Sequence, residues 1–124
     1  MKVINNALVT IKKLIKELSA LEKQLTTQGC INAYIHFKTG TNKMYLLEPV
    51  VAGKRKFHYV GVDPEKQQAA RDHVQRFKQR EQVRAAIAQY EYEYRELADS
   101  LQLLKDQALH CARQVGIDLK ALAV

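Results

Sequence analysis

Between Pro64 and Gly116 the sequence holds neither proline nor glycine. The mean globular helix is about 11–12 residues long, and this stretch offers roughly four times that length with nothing to break the hydrogen-bond ladder. Its start is equally well marked. Asp63 can cap the free N–H groups of the first turn, Pro64 sits where its missing N–H costs nothing, and Glu65 suits the positive end of the helix dipole. Residues 63–116 are therefore expected to form one long helix or a broken pair, followed by a tail at 117–124.

Within that span Val83, Ile87, Tyr90, Tyr94, Leu97, Leu101, Leu104, Ala108, Cys111 and Val115 alternate steps of four and three. This is a heptad seam, and it asks for a partner helix. Ala70, Val74 and Phe77 run in a different phase, and the slip at 78–82 implies a bend, a break or a change of packing partner. Residues 3–27 supply a second amphipathic helix through Ile4, Leu8, Ile11, Ile15, Leu18 and Leu25, with Glu22 as the one lapse. Val3, Leu14 and Leu21 widen its stripe and suggest more than one neighbour. It is about half as long as the second helix, so a homodimer is expected to cover what remains. Val83, Ile87, Tyr90, Tyr94, Leu97, Leu101, Leu104 and Cys111 are the expected dimerisation residues.

Residues 30–62 change period. In "INAYIHFK" Ile31, Ala33, Ile35 and Phe37 alternate with Asn32, Tyr34, His36 and Lys38, the mark of a half-buried strand. "TGTN" turns the chain, "KMYLLEPV" returns it, "AG" at 52–53 turns it again, and "KRKFHYVGV" forms a third strand. Pro49 lacks a ladder donor and belongs at a strand end or edge. The fold class is thus α+β: a helix at 1–29, a three-stranded antiparallel meander at 30–62 and the long helix, as a single domain.

With 124 residues, 47% apolar and 27% charged, the chain has the balance of a folded protein. No run approaches the roughly eighteen apolar residues of a membrane span, and the N-terminal stretch lacks the apolar block of a signal peptide. A cytoplasmic location without a membrane partner is expected. Cys30 and Cys111 are then free thiols, buried or semi-buried. The net charge of +7 is uneven: residues 30–84 carry eleven cations against five anions, and residues 85–124 carry four against six. Nucleic acid is the commonest partner of such a field, with acidic protein surfaces behind it.

Phosphate-cradling glycine loops, the zinc-protease helix motif and the nucleophile elbow are all missing. The chain reads as a non-enzyme without cofactor. His110 and Cys111 are adjacent on a helix and diverge by about 100°, so they make no metal pair. "EYEYRE" at 91–96 reads as an acidic helical face. The meander offers more. If Ile31, Ala33, Ile35 and Phe37 face the helices, then Tyr34, His36 and Lys38 face outward, joined by Lys43, Tyr45, Lys56 and His58. Such a face combines rings for stacking with cations for phosphates. The cations Lys54, Arg55 and Lys56 lead the hairpin tip, and Arg76, Arg80 and Arg84 recur at steps of four as a phosphate-tracking stripe. Solvated sheet and helix faces hold the same residue types for solubility alone.

The segment "YLLEPVVAGKRKFHYVGVDPEKQQAARDHVQRF", residues 45–77, resembles a group of short proteins carried by plasmids, phages and transposons, and an element near the N-termini of some insertion-sequence transposases. The resemblance rests on Gly53, Lys54, Arg55, Tyr59, Val60 and Gly61. It implies a mobile-element setting. The paired cysteines that many of those proteins carry before the strands are missing, so no metal role is implied. The expected function is sequence-tolerant nucleic-acid binding, to DNA ahead of RNA, by an accessory or regulatory protein. Lys38, Lys43, Lys54, Arg55, Lys56, Arg76, Arg80 and Arg84 would meet phosphates while Tyr34, Tyr45 and His58 stack. The alternatives are an anti-defence inhibitor that binds an acidic protein, and a coiled-coil adaptor.

Overall fold

The computed structural model describes residues 2–116; the expected tail at 117–124 lies outside them. The elements are α1 (Lys2–Gln28), β1 (Tyr34–Phe37), β2 (Met44–Leu47), β3 (Phe57–Gly61) and α2 (Pro64–Val115). The strands form one antiparallel sheet in the order β1-β2-β3. This is the α+β arrangement that the sequence periods imply. The chain divides into two compact units: Ala20–Arg84, and the described residues of Met1–Ser19 with Ala85–Val124.

In the first unit the core is small. Ala33, Met44, Leu46, Ala70 and Val74 are buried together, with Ile31 and Val60 packed against them. β1 is shorter than the alternating pattern at 31–38. Continuing its register would set Asn32 against Pro49, which has no N–H to give. The Ile31 N–H instead donates to the His73 carbonyl of α2 at 3.1 Å. Helix α1 stops where Gly29 takes a φ of +94° and its N–H reaches the Thr26 carbonyl at 3.2 Å, a glycine C-cap. A Cβ there would lie 3.0 Å from His73 Nε2, so the close approach also requires glycine. At the other helix start, Asp63 Oδ1 accepts from the Glu65 N–H at 3.1 Å, the expected cap. Gln67 Nε2, unmarked by any pattern, donates to Asn42 O and Gly61 O at 2.8 and 2.9 Å and ties α2 to the end of the sheet.

The β2–β3 hairpin closes through Val51 and Lys54, whose backbones exchange hydrogen bonds of 2.8 and 3.0 Å. Ala52 and Gly53 between them have φ values of +53° and +76°, the pairing of signs that a type I′ turn requires. Alanine is strained in that region by about 1–2 kcal/mol, and asparagine much less. Ala52→Asn is therefore expected to raise stability by about 1 kcal/mol, roughly 4 °C in a thermal melt. A melt that stays put or falls would contradict the turn assignment.

Helix α2 runs without a break through 78–82, so the phase slip there marks a change of packing partner. Val74 is buried against the sheet in the first unit, and Leu101 is buried in the second. In that second unit Lys12, Ile15, Glu91, Tyr94 and Arg95 border a shallow hollow, which sets the first half of α1 along the seam.

The seam itself needs correction toward its end. Val83, Ile87, Tyr90, Tyr94, Leu97 and Ala108 are partly buried, but Leu104, Cys111 and Val115 are exposed, and Ala112 is buried at 4%. A straight helix drifts by about 20° per heptad against a strict seven-residue repeat. Measured from Leu101, Ala112 returns to within about 20° of the same line, whereas Leu104 and Cys111 have turned away by about 60° and 80°. Cys30 is partly buried, and Cys111 is an exposed thiol rather than a packed one. On α1 the extra apolar residues Val3, Leu14 and Leu21 also stay exposed. The polar lapse at Glu22 has a reason: its Oε1 lies 3.6 Å from Arg84 Nε. No helix among the described residues is long and apolar enough to cross a membrane.

Candidate nucleic-acid interface

The sheet register decides which side chains can act together. Residues opposite one another share a face. Ile35 faces Leu46 and Phe37 faces Met44, so the four share one side of the sheet. Met44 and Leu46 are buried there with Ala70 and Val74 of α2, whereas Ile35 and Phe37, expected to face the helices, stay 38% and 41% exposed on the edge strand. On the other side two rows cross the strands. His36, Tyr45 and Tyr59 form one; Tyr34, Leu47 and Phe57 form the next. Tyr34, Phe57 and Tyr59 are 62%, 66% and 61% exposed, while Tyr45 and Leu47 between them are partly buried, so among the described residues no element covers this face. Tyr45 and Tyr59 lean together, with ring centroids 5.1 Å apart at 55°.

Phe57 and Tyr59 are the members that the sequence pattern misses, and His58 and Lys56 are the two that it misplaces. His58 stands opposite Leu46, on the face turned to α2, and its Nε2 lies 2.6 Å from Glu48 Oε2. It cannot stack with Tyr34 and Tyr45. Lys56 follows the same parity, opposite Glu48, whose N–H donates to the Lys56 carbonyl at 3.0 Å. The error arises because an aliphatic or aromatic residue is expected inward, whereas β3 turns its rings out. A bulge sets Gly61, with φ +102°, against Met44; Val60 turns into the core beside it. Phe57 at 66% exposure, with no hydroxyl to hydrate, is the signal that only the register reveals.

Cations border this face at both ends. Lys38 and Lys43 meet at the β1–β2 turn, where the Lys38 N–H donates to the Lys43 carbonyl at 3.0 Å. The parity of the ladder puts both on the ring side. Lys54, Arg55 and Lys56 rise at the opposite end on the hairpin and are all exposed. Among the described residues none of these five side chains is in an ion pair.

The arginine stripe is committed elsewhere. Arg76 Nε donates to the Gly29 carbonyl at 2.6 Å, just past the end of α1. Arg80 lies 5.2 Å over the Phe77 ring and 3.5 Å from Thr26 Oγ1, with its Nε buried and without a partner. Arg84 bridges Glu22 and Glu81. Steps of four placed the three on one side of α2, but that side faces α1. A cation at a helix C-terminus is favourable there. Arg76→Met is expected to cost about 1.5–3 kcal/mol in a thermal melt, as loss of a charge-assisted hydrogen bond does, and to leave the salt dependence of nucleic-acid binding unchanged. A phosphate contact would do the reverse.

Among the described residues no three of His, Cys, Asp and Glu converge as metal ligands would. Compared with known proteins, the chain matches no family, no curated protein and no solved structure.

Proposed function

We propose that this is a nucleic-acid-binding protein whose site is the outer face of the sheet, with Lys38 and Lys43 at one end and Lys54, Arg55 and Lys56 at the other. The observation that carries this reading is the open ring face between cations that, among the described residues, are in no ion pair. Rings attract bases and cations attract phosphates. The resemblance of residues 45–77 to mobile-element proteins supports an accessory or regulatory role in such an element. An acidic protein surface is the competing partner, because the same cations would suit it.

Fluorescence anisotropy with labelled DNA across a salt series tests the reading. About five phosphate contacts on a single strand predict a slope near −3.5, a loss of roughly a hundredfold in affinity between 50 and 200 mM salt. No binding at 50 mM, or binding indifferent to salt, would remove nucleic acid as the partner. A second copy of the chain joined along the seam would cover Leu104 and Val115, which are 43% and 67% exposed. Sedimentation at twice the chain mass is expected, and a single-chain mass at high concentration excludes it.

A further inference from the structure

We infer that the ligand of this face is an unpaired strand, with one base on the His36-Tyr45-Tyr59 row and the next on the Tyr34-Leu47-Phe57 row. The inference rests on the nucleic-acid reading above and deepens it. Duplex DNA offers a protein only base edges, because its base faces are stacked on one another. Exposed rings on a sheet can meet base faces only where the bases are splayed apart.

The spacing agrees. The two rows are two residues apart along each strand, about 6.8 Å. That is twice the rise of about 3.4 Å per nucleotide in a duplex strand. Two neighbouring bases could therefore each take a row only in an extended strand, separated from one another.

The cations agree as well. They lie at the two ends of the strands, Lys38 and Lys43 beyond the first row and Lys54, Arg55 and Lys56 beyond the second. A sugar-phosphate backbone running along the strand direction meets positive charge before and after the two stacked bases. A duplex groove reader would need its cations beside the inserted element.

The test compares oligothymidylate of about a dozen nucleotides with a duplex of the same length, both fluorescein-labelled, at about 50 mM salt. The duplex carries more charge, so cations alone would favour it. Binding of the single strand at least tenfold tighter is expected. The protein's own emission gives a second readout. It has six tyrosines and no tryptophan, and Tyr34, Tyr45 and Tyr59 lie on the face. Unlabelled oligothymidylate is expected to quench about half of that emission at saturation, since stacked rings lose it.

Tyr34→Ala and Phe57→Ala, on different edge strands, are each expected to weaken single-strand binding about tenfold without moving the thermal melt. Equal or tighter duplex binding, or unquenched tyrosine at saturation, overturns the inference and leaves phosphate binding standing. So do two folded variants that bind as the original does. If neither nucleic acid binds, both readings fall. Self-association lost in Phe57→Ala, with no quenching, would assign the face to a second copy and likewise overturn it.

Discussion

Lys54→Glu, Arg55→Glu and Lys56→Glu combined are expected to lower affinity for single-stranded DNA at least a hundredfold at about 0.1 M salt, with the thermal melt unchanged. Each phosphate neutralised on a single strand contributes about 0.7 to the salt exponent, so leaving three phosphates without their cations corresponds to about two orders of magnitude. Reversal adds repulsion to that loss and takes the net charge from +7 to +1. The fold should not notice. All three side chains are exposed, and the hairpin is held by the backbone bonds of Val51 with Lys54 and of Glu48 with Lys56. Anisotropy titration beside a melt reads both quantities. Affinity within a fewfold of the original, with an intact melt, would move the site off the hairpin and leave only Lys38 and Lys43 to hold phosphate.

Met44→Ala should have the largest effect on stability, a loss of about 2–5 kcal/mol. Met44 is fully buried at 0% exposure on the central strand. It packs with Ala33, Leu46, Ala70 and Val74, three of which are no larger than valine. Opposite it on β3 is the bulged Gly61, which brings no side chain. A flexible thioether suits such an irregular gap, and few neighbours could collapse into the space left by alanine. Met44→Leu keeps the volume and should cost less than about 1.5 kcal/mol. Thermal or urea melts of the two variants decide the matter; an alanine variant as stable as the leucine one would place the core elsewhere.

The element order was legible because the residue period and the residues at the ends agree. Period two over 31–38 and period near 3.5 over 83–115 name strand and helix. The Ala52-Gly53 pair and Asp63-Pro64 mark ends, and each does so through backbone geometry found in the structure. That nothing between 65 and 115 must stop a helix was equally readable, but the phase slip at 78–82 left one helix or a broken pair open, and the structure has one.

The ring face was only partly legible. Tyr34, His36, Lys38, Lys43 and Tyr45 follow from alternation along β1 and its pairing with β2. Alternation along β3 is equally regular, but it does not say which half turns inward. Both halves contain rings or aliphatics, and a one-residue shift exchanges them. The pairing of Tyr45 with Tyr59 and Leu47 with Phe57 made that choice, and the bulge beyond them leaves Val60 and Gly61 both toward the core. The arginine stripe shows the same limit. Spacing put Arg76, Arg80 and Arg84 on one side of α2, and could not tell that α1 would occupy it.

By itself, then, the sequence determined which segments become helix and strand, where they stop, and where positive charge concentrates. These depend on neighbours a few residues away along the chain. Only the tertiary structure decided which cations remain free and which rings meet on one surface. Those depend on strand register and on which helix lies alongside, and both are set by packing between residues tens of positions apart.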